Sequence, residues 1–289
     1  MELGRIGVWA GGPWRDRDRV AEAQDVVGVL ESLGYGTLWL SGGFKGPIKN
    51  LYEPLLDATK TMTIASGIAS IWHTSPDVAK DAFAEFEKAY PGRFLLGVGA
   101  SHAPFVERSG ESYDHPYTHM VEYLDALDQG PRPVPANRRI LAALGPRMLR
   151  LGAERSLGAH PYFVPVEHTE LAREILAEGP LLAPEQAVVV ERDRETALRV
   201  AREYLKVYLE LPNYTSNLRR LGFTDADLEP PGSASTADRL VFMGDARTVA
   251  HRVGEHFSLG ADHVCLQVFA ADASLFPRDE YAQLAEVLV

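Results

Sequence analysis

The sequence contains a single cysteine, Cys265, in 289 residues. One thiol excludes an intramolecular disulfide and any zinc or iron–sulfur site that needs several cysteine ligands. Apolar runs close to the roughly 20 residues of a membrane span are also missing. The first five residues lack the basic and apolar regions of a secretory signal. We therefore expect a cytoplasmic protein with no membrane partner and no bound metal.

Clusters of basic residues are absent as well. The formal net charge is −11, and the positive side chains alternate with acidic ones, as in residues 15–19. Nucleic acids are bound by basic patches, so we expect no nucleic-acid partner. We interpret residues 15–19 as a solvent-exposed loop. The remaining composition, 46% hydrophobic and 24% charged, is typical of a globular protein.

Short apolar segments alternate with amphipathic helical patterns from end to end. Because parallel neighbouring strands need a helical crossover, this alternation predicts a parallel sheet. Eight strand–helix units predict an α/β fold of the (β/α)8 TIM-barrel type, with the active site at the carboxyl ends of the strands. An open, doubly wound sheet is the alternative. The predicted strands are residues 5–10, 37–40, 62–68, 93–98, 140–144, 160–164, 186–190 and 263–268.

The length is compatible with two domains or with one barrel that carries loop insertions. No linker divides the chain, so we predict one domain over residues 1–289. Residues 213–238 show little periodicity and contain Pro230-Pro231-Gly232, which predicts an irregular insertion that forms a lid beside the active face. A second polar loop is predicted over residues 101–116.

Three features after predicted strands carry possible chemistry. Gly145-Pro146 opens a helix and forms either a phosphate site or a tight turn. Gly99 lets a ring or phosphate approach its backbone, or serves turn geometry alone. Residues 99–103 (Gly-Ala-Ser-His-Ala) also resemble the nucleophile elbow of a serine hydrolase, in which Ser101 would be the nucleophile.

Motifs along nearly the whole chain resemble the luciferase-like superfamily of flavin and deazaflavin oxidoreductases. The sequence is most similar to a branch described as F420-dependent oxidoreductases. Each motif alone is modest, but their order is specific. The motifs occupy residues 65–68 (ASGI), 92–99 (GRFLLGVG), 101–104 (SHAP), 122–128, 141–149, 158–162, 167–169, 211–214, 221–224 and 260–264.

The resemblance implies a luciferase-like barrel whose C-terminal face carries loop insertions and binds the cofactor ring across its mouth. It also implies a non-proline cis peptide at Gly67–Ile68, a phosphate-binding helix start after Gly145, and a homodimer. The implied cofactor is F420, with FMN as the alternative. The implied cofactor-binding residues are Gly67, Ile68, Ser70, Gly99, Ala100, Ser101, Gly145, Pro146, Arg147, Met148 and Tyr162.

The sequence departs from the family pattern after the second strand. Related enzymes often carry an acidic residue or an Asp-His pair where this chain has Gly42 and Gly43. The vacated space could take a larger substrate, or the cofactor could bind differently or poorly. His102 is then the acid/base candidate, because an unperturbed imidazole has a pKa near 6.5. Its alternative role is to hold the loop.

These observations predict an oxidoreductase that transfers a hydride between F420 and an unknown small organic substrate. The first alternative is an FMN-dependent luciferase-like monooxygenase. The second is a barrel with a degenerate cofactor site.

Overall fold

The computed structural model describes residues 1–42 and 48–289. The strands are β1 Ile6–Ala10, β2 Thr37–Leu40, β3 Thr63–Ser66, β4 Ala69–Ser70, β5 Phe94–Gly99, β6 Arg139–Leu141, β7 Gly158–Ala159, β8 Leu181–Leu182, β9 Glu185–Val190, β10 Val241–Gly244 and β11 Val264–Val268. The helices are α1 Val20–Ser32, α2 Ile48–Asp57, α3 Pro76–Ala89, α4 Ala103–Arg108, α5 Pro116–Asp128, α6 Pro146–Arg155, α7 Val166–Leu176, α8 Arg194–Tyr208, α9 Pro212–Arg220, α10 Asp225–Leu228, α11 Ala234–Leu240, α12 Ala246–Ser258 and α13 Arg278–Leu288.

All strand pairs of the described residues are parallel and belong to one curled sheet. Its order is β10-β9-β11-β1-β2-β3-β5-β6-β7-β8, and β4 pairs with β5. The predicted α/β class and parallel sheet are confirmed, and the curled sheet is TIM-barrel-like. Every residue of β1, β2, β3, β5 and β11 is buried, as expected for strands covered on both faces.

The helices cover this sheet with the apolar stripes that the sequence predicts. On α5, Met120, Tyr123, Leu124 and Leu127 are all buried, which matches the i, i+3, i+4, i+7 pattern. Ser75-Pro76-Asp77 is typical of a helix start, and α3 begins there, with the Ser75 hydroxyl accepting a hydrogen bond from the backbone N–H of Val78. Among the described residues, no helix has the length and apolarity needed to cross a bilayer.

One prediction about the middle of the chain is wrong. No residue of the strand predicted over residues 160–164 is in a strand, since β7 ends at Ala159 and Phe163 has a φ of 58° that a strand does not tolerate. α7 follows, and Thr169 is buried within it. The side-chain oxygen of Thr169 is hydrogen-bonded to His256 Nδ1 at 2.7 Å.

The predicted irregular insertion at residues 213–238 is helical. It contains most of α9 and α11 and all of α10. α9 begins at Pro212, α10 is capped by the side chain of Thr224, and α11 is capped by the side chain of Ser233. β10 follows at once and was not predicted. The loop predicted over residues 101–116 likewise contains the short helix α4. Capping interactions therefore give local order to segments that lack long apolar periodicity.

Candidate active site

A cavity of about 450 Å³ opens where the strands end. Its wall includes Trp9 of β1 and residues that directly follow other strands, such as Ser41 after β2 and Ala142 after β6. This is the face on which the sequence places the active site. The volume lies within the range of small-molecule and cofactor sites.

Most of the predicted site residues meet at this cavity. Gly67, Ile68, Ser70, Ala100, Ser101, His102, Met148 and Tyr162 line it, whereas Gly99, Gly145, Pro146 and Arg147 do not. The Gly67–Ile68 peptide is cis, which confirms the implied bond. The structure thus assembles a site from residues far apart in sequence, while the role of each residue stays a prediction.

Gly99 makes room for the isoleucine of this bulge. A Cβ added at Gly99 would lie 2.8 Å from Ile68 Cδ1 and 3.0 Å from Ala142 Cβ. These distances are shorter than van der Waals contact, so a side chain at this position would displace Ile68. Gly99 therefore acts behind the cavity wall, and neither of the two predicted roles describes it.

Gly42 has a similar explanation. Its backbone N–H donates to the carbonyl oxygen of Ile68 at 3.2 Å, and an added Cβ would lie 2.5 Å from that oxygen. The space at Gly42 is consequently filled by backbone rather than left open for a larger substrate. Gly43 lies outside the described residues.

His102 stands at the N-terminus of α4 and lines the cavity. Its Nδ1 lies 2.7 Å from Oδ1 of Asn213, at the start of α9. Since an amide oxygen only accepts, Nδ1 carries the proton and Nε2 is left as an acceptor. Burial lowers the pKa of His102, and the Asn213 hydrogen bond opposes this shift. The imidazole is therefore held neutral more strongly than a free histidine.

Ser70 belongs to a directed chain of hydrogen bonds. The Ser109 hydroxyl donates to the carbonyl of Val106 at 2.6 Å, so its oxygen accepts from His73 Nε2 at 2.8 Å. Nδ1 of His73 is hydrogen-bonded to the Ser70 hydroxyl at 3.0 Å. This contact holds the side chain of Ser70, which lines the cavity.

Aromatic side chains form another part of the cavity wall. The hydroxyl of Tyr208 donates to that of Tyr162 at 2.7 Å, and Tyr162 donates to Gln267 Oε1 at 2.7 Å. The ring of Tyr214 lies 6.0 Å from that of Tyr162. Burial raises the pKa of Tyr208 to about 12 and holds that of Tyr162 well above its ordinary value. These phenols are neutral donors and acceptors at physiological pH.

Buried polar groups lie beneath this wall. Glu185 is 1% exposed, and its Oε2 accepts from the backbone N–H of Phe163 at 3.1 Å. Burial raises the pKa of Glu185 to about 8. His160 donates from Nδ1 to the carbonyl of Ala183 at 2.7 Å, and burial lowers its pKa to about 4. Both groups are therefore uncharged near pH 7.

The predicted phosphate site lies at the start of α6. Gly145 is the N-cap, and no side chain caps the exposed N–H groups of the first turn. A Cβ added at Gly145 would lie 3.6 Å from Nη2 of Arg220, an exposed residue of α9. The Arg147 guanidinium stacks over the Tyr117 ring at 4.1 Å. Two cations thus flank a helix N-terminus, which favours an anion.

Several cavity residues were not predicted from the sequence. Arg15 belongs to the segment interpreted as a solvent-exposed loop, yet it lines the cavity and is the one formally charged side chain among the described lining residues. Other lining residues that were not predicted come from α4, the segment before α5, and helices α8 and α9. They include Phe105, Tyr113, Val207, Tyr208, Asn213 and Tyr214. For those on α8 and α9, the signal in the sequence is the concentration of tyrosines around Pro212 at residues 204–214.

Ser101 shares one feature with a nucleophile elbow. Its φ is 57° between a strand and a helix, the type of sharp turn that exposes a nucleophile. However, no described histidine is hydrogen-bonded to its hydroxyl, and the nearby His102 directs Nδ1 to Asn213. The base that a serine nucleophile requires is therefore not in contact with it.

Comparison with known proteins identifies a similar family. Residues 1–133 match the model of the family described as luciferase-like monooxygenase. This part of the chain is therefore similar to that family, and the resemblance predicted from the motifs is confirmed.

Individual relatives include enzymes with different cofactors. The chain is 24% identical over 222 residues to a 5,10-methylenetetrahydromethanopterin reductase of Archaeoglobus fulgidus. The match covers 63% of this chain and 64% of the relative, so the chain spans less than two thirds of that relative's length. An F420-dependent secondary alcohol dehydrogenase in complex with an F420-acetone adduct superposes with a TM-score of 0.76, at 16% identity over 98% of both chains. The oxygenating constituent of 3,6-diketocamphane monooxygenase from Pseudomonas putida, in complex with FMN, gives a TM-score of 0.69 at 15% identity over 99% of this chain and 98% of the other. These structural matches establish the luciferase-like α/β fold.

Proposed function

We propose that the protein is an F420-dependent oxidoreductase that acts on a small organic substrate. The observation that carries this proposal is one cavity that is lined both by the Gly67–Ile68 bulge and by Met148, in the first turn of α6. A flat ring and an anionic tail need these two features within reach of each other. The relatives include an F420-dependent enzyme and a methanopterin reductase, which supports the choice of cofactor.

The residues present fit a deazaflavin. Ile68 and Tyr162 offer apolar and aromatic surface to a ring, and Ser70 and Tyr208 offer polar atoms to its edge or side chain. The N-terminus of α6 with Arg220 would hold the phosphate. A bound deazaflavin would supply hydride transfer, which no side chain of this protein provides.

His102 is the residue that would move the accompanying proton. Its neutral ring presents Nε2 as an acceptor at the cavity. The aromatic wall excludes water from the reacting groups, and the bulge and the α6 start hold cofactor and substrate in register.

The finer fold assignment belongs to the same proposal. We infer that residues 181–190 act as one strand, interrupted at Ala183-Pro184, that closes the sheet into a (β/α)8 barrel. The N–H of Ala183 donates to the carbonyl of Ala159 beside β7, and the N–H of Cys265 in β11 donates to the carbonyl of Pro184, both at 2.9 Å. One domain, a lid formed by residues 213–238, a homodimer and a cytoplasmic location complete the proposal.

An FMN-dependent monooxygenase is the second candidate. The family description and the FMN-bound structural relative favour it. A barrel with a degenerate site is the remaining alternative, and it requires that neither cofactor binds.

Titration of the purified protein with F420 and, separately, with FMN distinguishes these functions. We expect saturable quenching of F420 fluorescence and weaker binding of FMN. Tight FMN binding without F420 binding would identify the monooxygenase. Binding of neither cofactor would identify the degenerate barrel.

A further inference from the structure

The contact between His102 and Asn213 joins two segments that flank the cavity. His102 follows β5 and precedes α4, whereas Asn213 is the second residue of α9, 111 positions away in the sequence. Their atoms Nδ1 and Oδ1 lie 2.7 Å apart. Both residues line the cavity, so the contact holds the histidine at the place where substrate would bind.

We propose that Asn213 is a positioning residue that holds His102 as the neutral Nδ1–H tautomer, with Nε2 presented to the substrate as the proton acceptor. This inference rests on the proposed function for its use in catalysis. It also specifies the substrate group opposite Nε2, which must be a hydrogen-bond donor such as a hydroxyl.

Hydrogen-bond chemistry fixes the tautomer. The amide oxygen of Asn213 has no proton to give, so Nδ1 of His102 must donate. The tautomer of a neutral imidazole is set by the partner of its other nitrogen. Within the described part of the chain no group is hydrogen-bonded to Nε2 of His102, and this atom is therefore available to a ligand.

Aromatic packing fixes the plane of the ring. The His102 imidazole lies 4.8 Å from the Tyr214 ring and 5.5 Å, edge-on, from the Phe105 ring. Tyr214 is adjacent to Asn213 on α9. The helix that supplies the amide therefore also supplies one of the contacting rings, and it orients the imidazole as a unit.

The other titratable residues that line the cavity around His102 are four tyrosines, His160 and Arg15. Burial raises the pKa of the lining tyrosines and lowers that of His160 to about 4, and Arg15 carries a fixed positive charge. Glu107 and Arg108 of α4 and Arg219 and Arg220 of α9 are exposed. The lining tyrosines are Tyr113, Tyr162, Tyr208 and Tyr214.

The test is a long-range ¹H–¹⁵N NMR titration of the protein without cofactor, with histidine labelled and the His102 signals assigned by loss in His102→Gln. We expect wild-type His102 to be in the Nδ1–H form above its pKa. Asn213→Leu, which keeps the volume but removes the acceptor, should abolish that preference and lower the pKa further. Asn213→Asp, which keeps the shape, should raise the pKa because a carboxylate stabilises the imidazolium.

The control is Asn137→Asp, the same change at an exposed residue outside the cavity, and it should leave the His102 signals unchanged. An Nε2–H tautomer in the wild type would overturn the inference. So would an unchanged tautomer in Asn213→Leu or an unraised pKa in Asn213→Asp. Because no cofactor is present, a failure of F420 to bind would contradict the proposed function and leave this result standing.

Discussion

Replacement of the buried carboxyl group of Glu185 by an amide should change how stability depends on pH. Glu185 is 1% exposed, and one of its oxygens, Oε1, has no hydrogen-bond partner among the described residues. Burial raises its pKa to about 8 from an ordinary value of 4.5. Between these two pKa values, the folded protein therefore keeps a carboxyl proton that the unfolded chain has released.

The magnitude follows from the size of the shift. Between the two pKa values the folded state binds one more proton than the unfolded state, so the free energy of unfolding falls as pH rises. Each pH unit costs about 1.4 kcal/mol within that window, and the slope is smaller close to each pKa, so the loss amounts to about 3.5 kcal/mol between pH 5 and pH 8. Glu185→Gln removes this proton, so the variant should lack that part of the slope. At pH 5 it should be no more stable than the wild type, since its amide N–H groups need partners.

Urea unfolding at pH 5, 6, 7 and 8 measures the difference. The control is Glu203→Gln, an exposed residue of α8, which should follow the wild-type curve. Parallel pH profiles for wild type and Glu185→Gln would refute the reasoning, because they would mean that Glu185 is already ionised in the folded protein. A wild-type free energy of unfolding that falls more steeply between pH 5 and pH 8 than that of Glu185→Gln would support it.

Two further substitutions test the ends of the cavity. Arg220→Gln should weaken F420 binding about tenfold in a fluorescence titration, because a charge-assisted contact to the phosphate is lost. The control, Arg219→Gln, removes a guanidinium that is already paired with Asp225 at 2.9 Å and should have no effect on binding. Equal losses of affinity in the two variants would place the phosphate elsewhere. Gly42→Ala should lower the free energy of unfolding by about 2 kcal/mol through overpacking. The control, Gly254→Ala, changes a helical position with nothing within 4 Å of an added Cβ, and it should raise the free energy of unfolding by about 1 kcal/mol. An unchanged stability of Gly42→Ala would show that the bulge can move aside.

The sequence predicted the regular part of the fold well because strand and helix patterns there are strong. The strand at residues 37–40 has the predicted bounds. The strand prediction for residues 160–164 was wrong because Phe163 adopts a positive φ, which an apolar run does not reveal. Val241–Gly244 was missed because a four-residue strand directly after a helix has no alternation to detect.

The site was predictable in part for a similar physical reason. Residues at strand ends, such as Ser70 and Ala100, could be placed at the mouth because a parallel sheet brings its carboxyl ends together. Asn213 and Arg15 could not be placed at the mouth from the sequence, because their positions depend on how helical segments fold back over it. Gly42 was recognised as a departure, but its cause, a close approach to the Ile68 carbonyl, is a tertiary contact.

A crystal structure of the protein with F420 tests the central claim most directly. We expect ring density in the cavity against Gly67–Ile68, with the phosphate at the start of α6 beside Arg220. Density for F420 outside this cavity, or a phosphate bound away from α6, would contradict it.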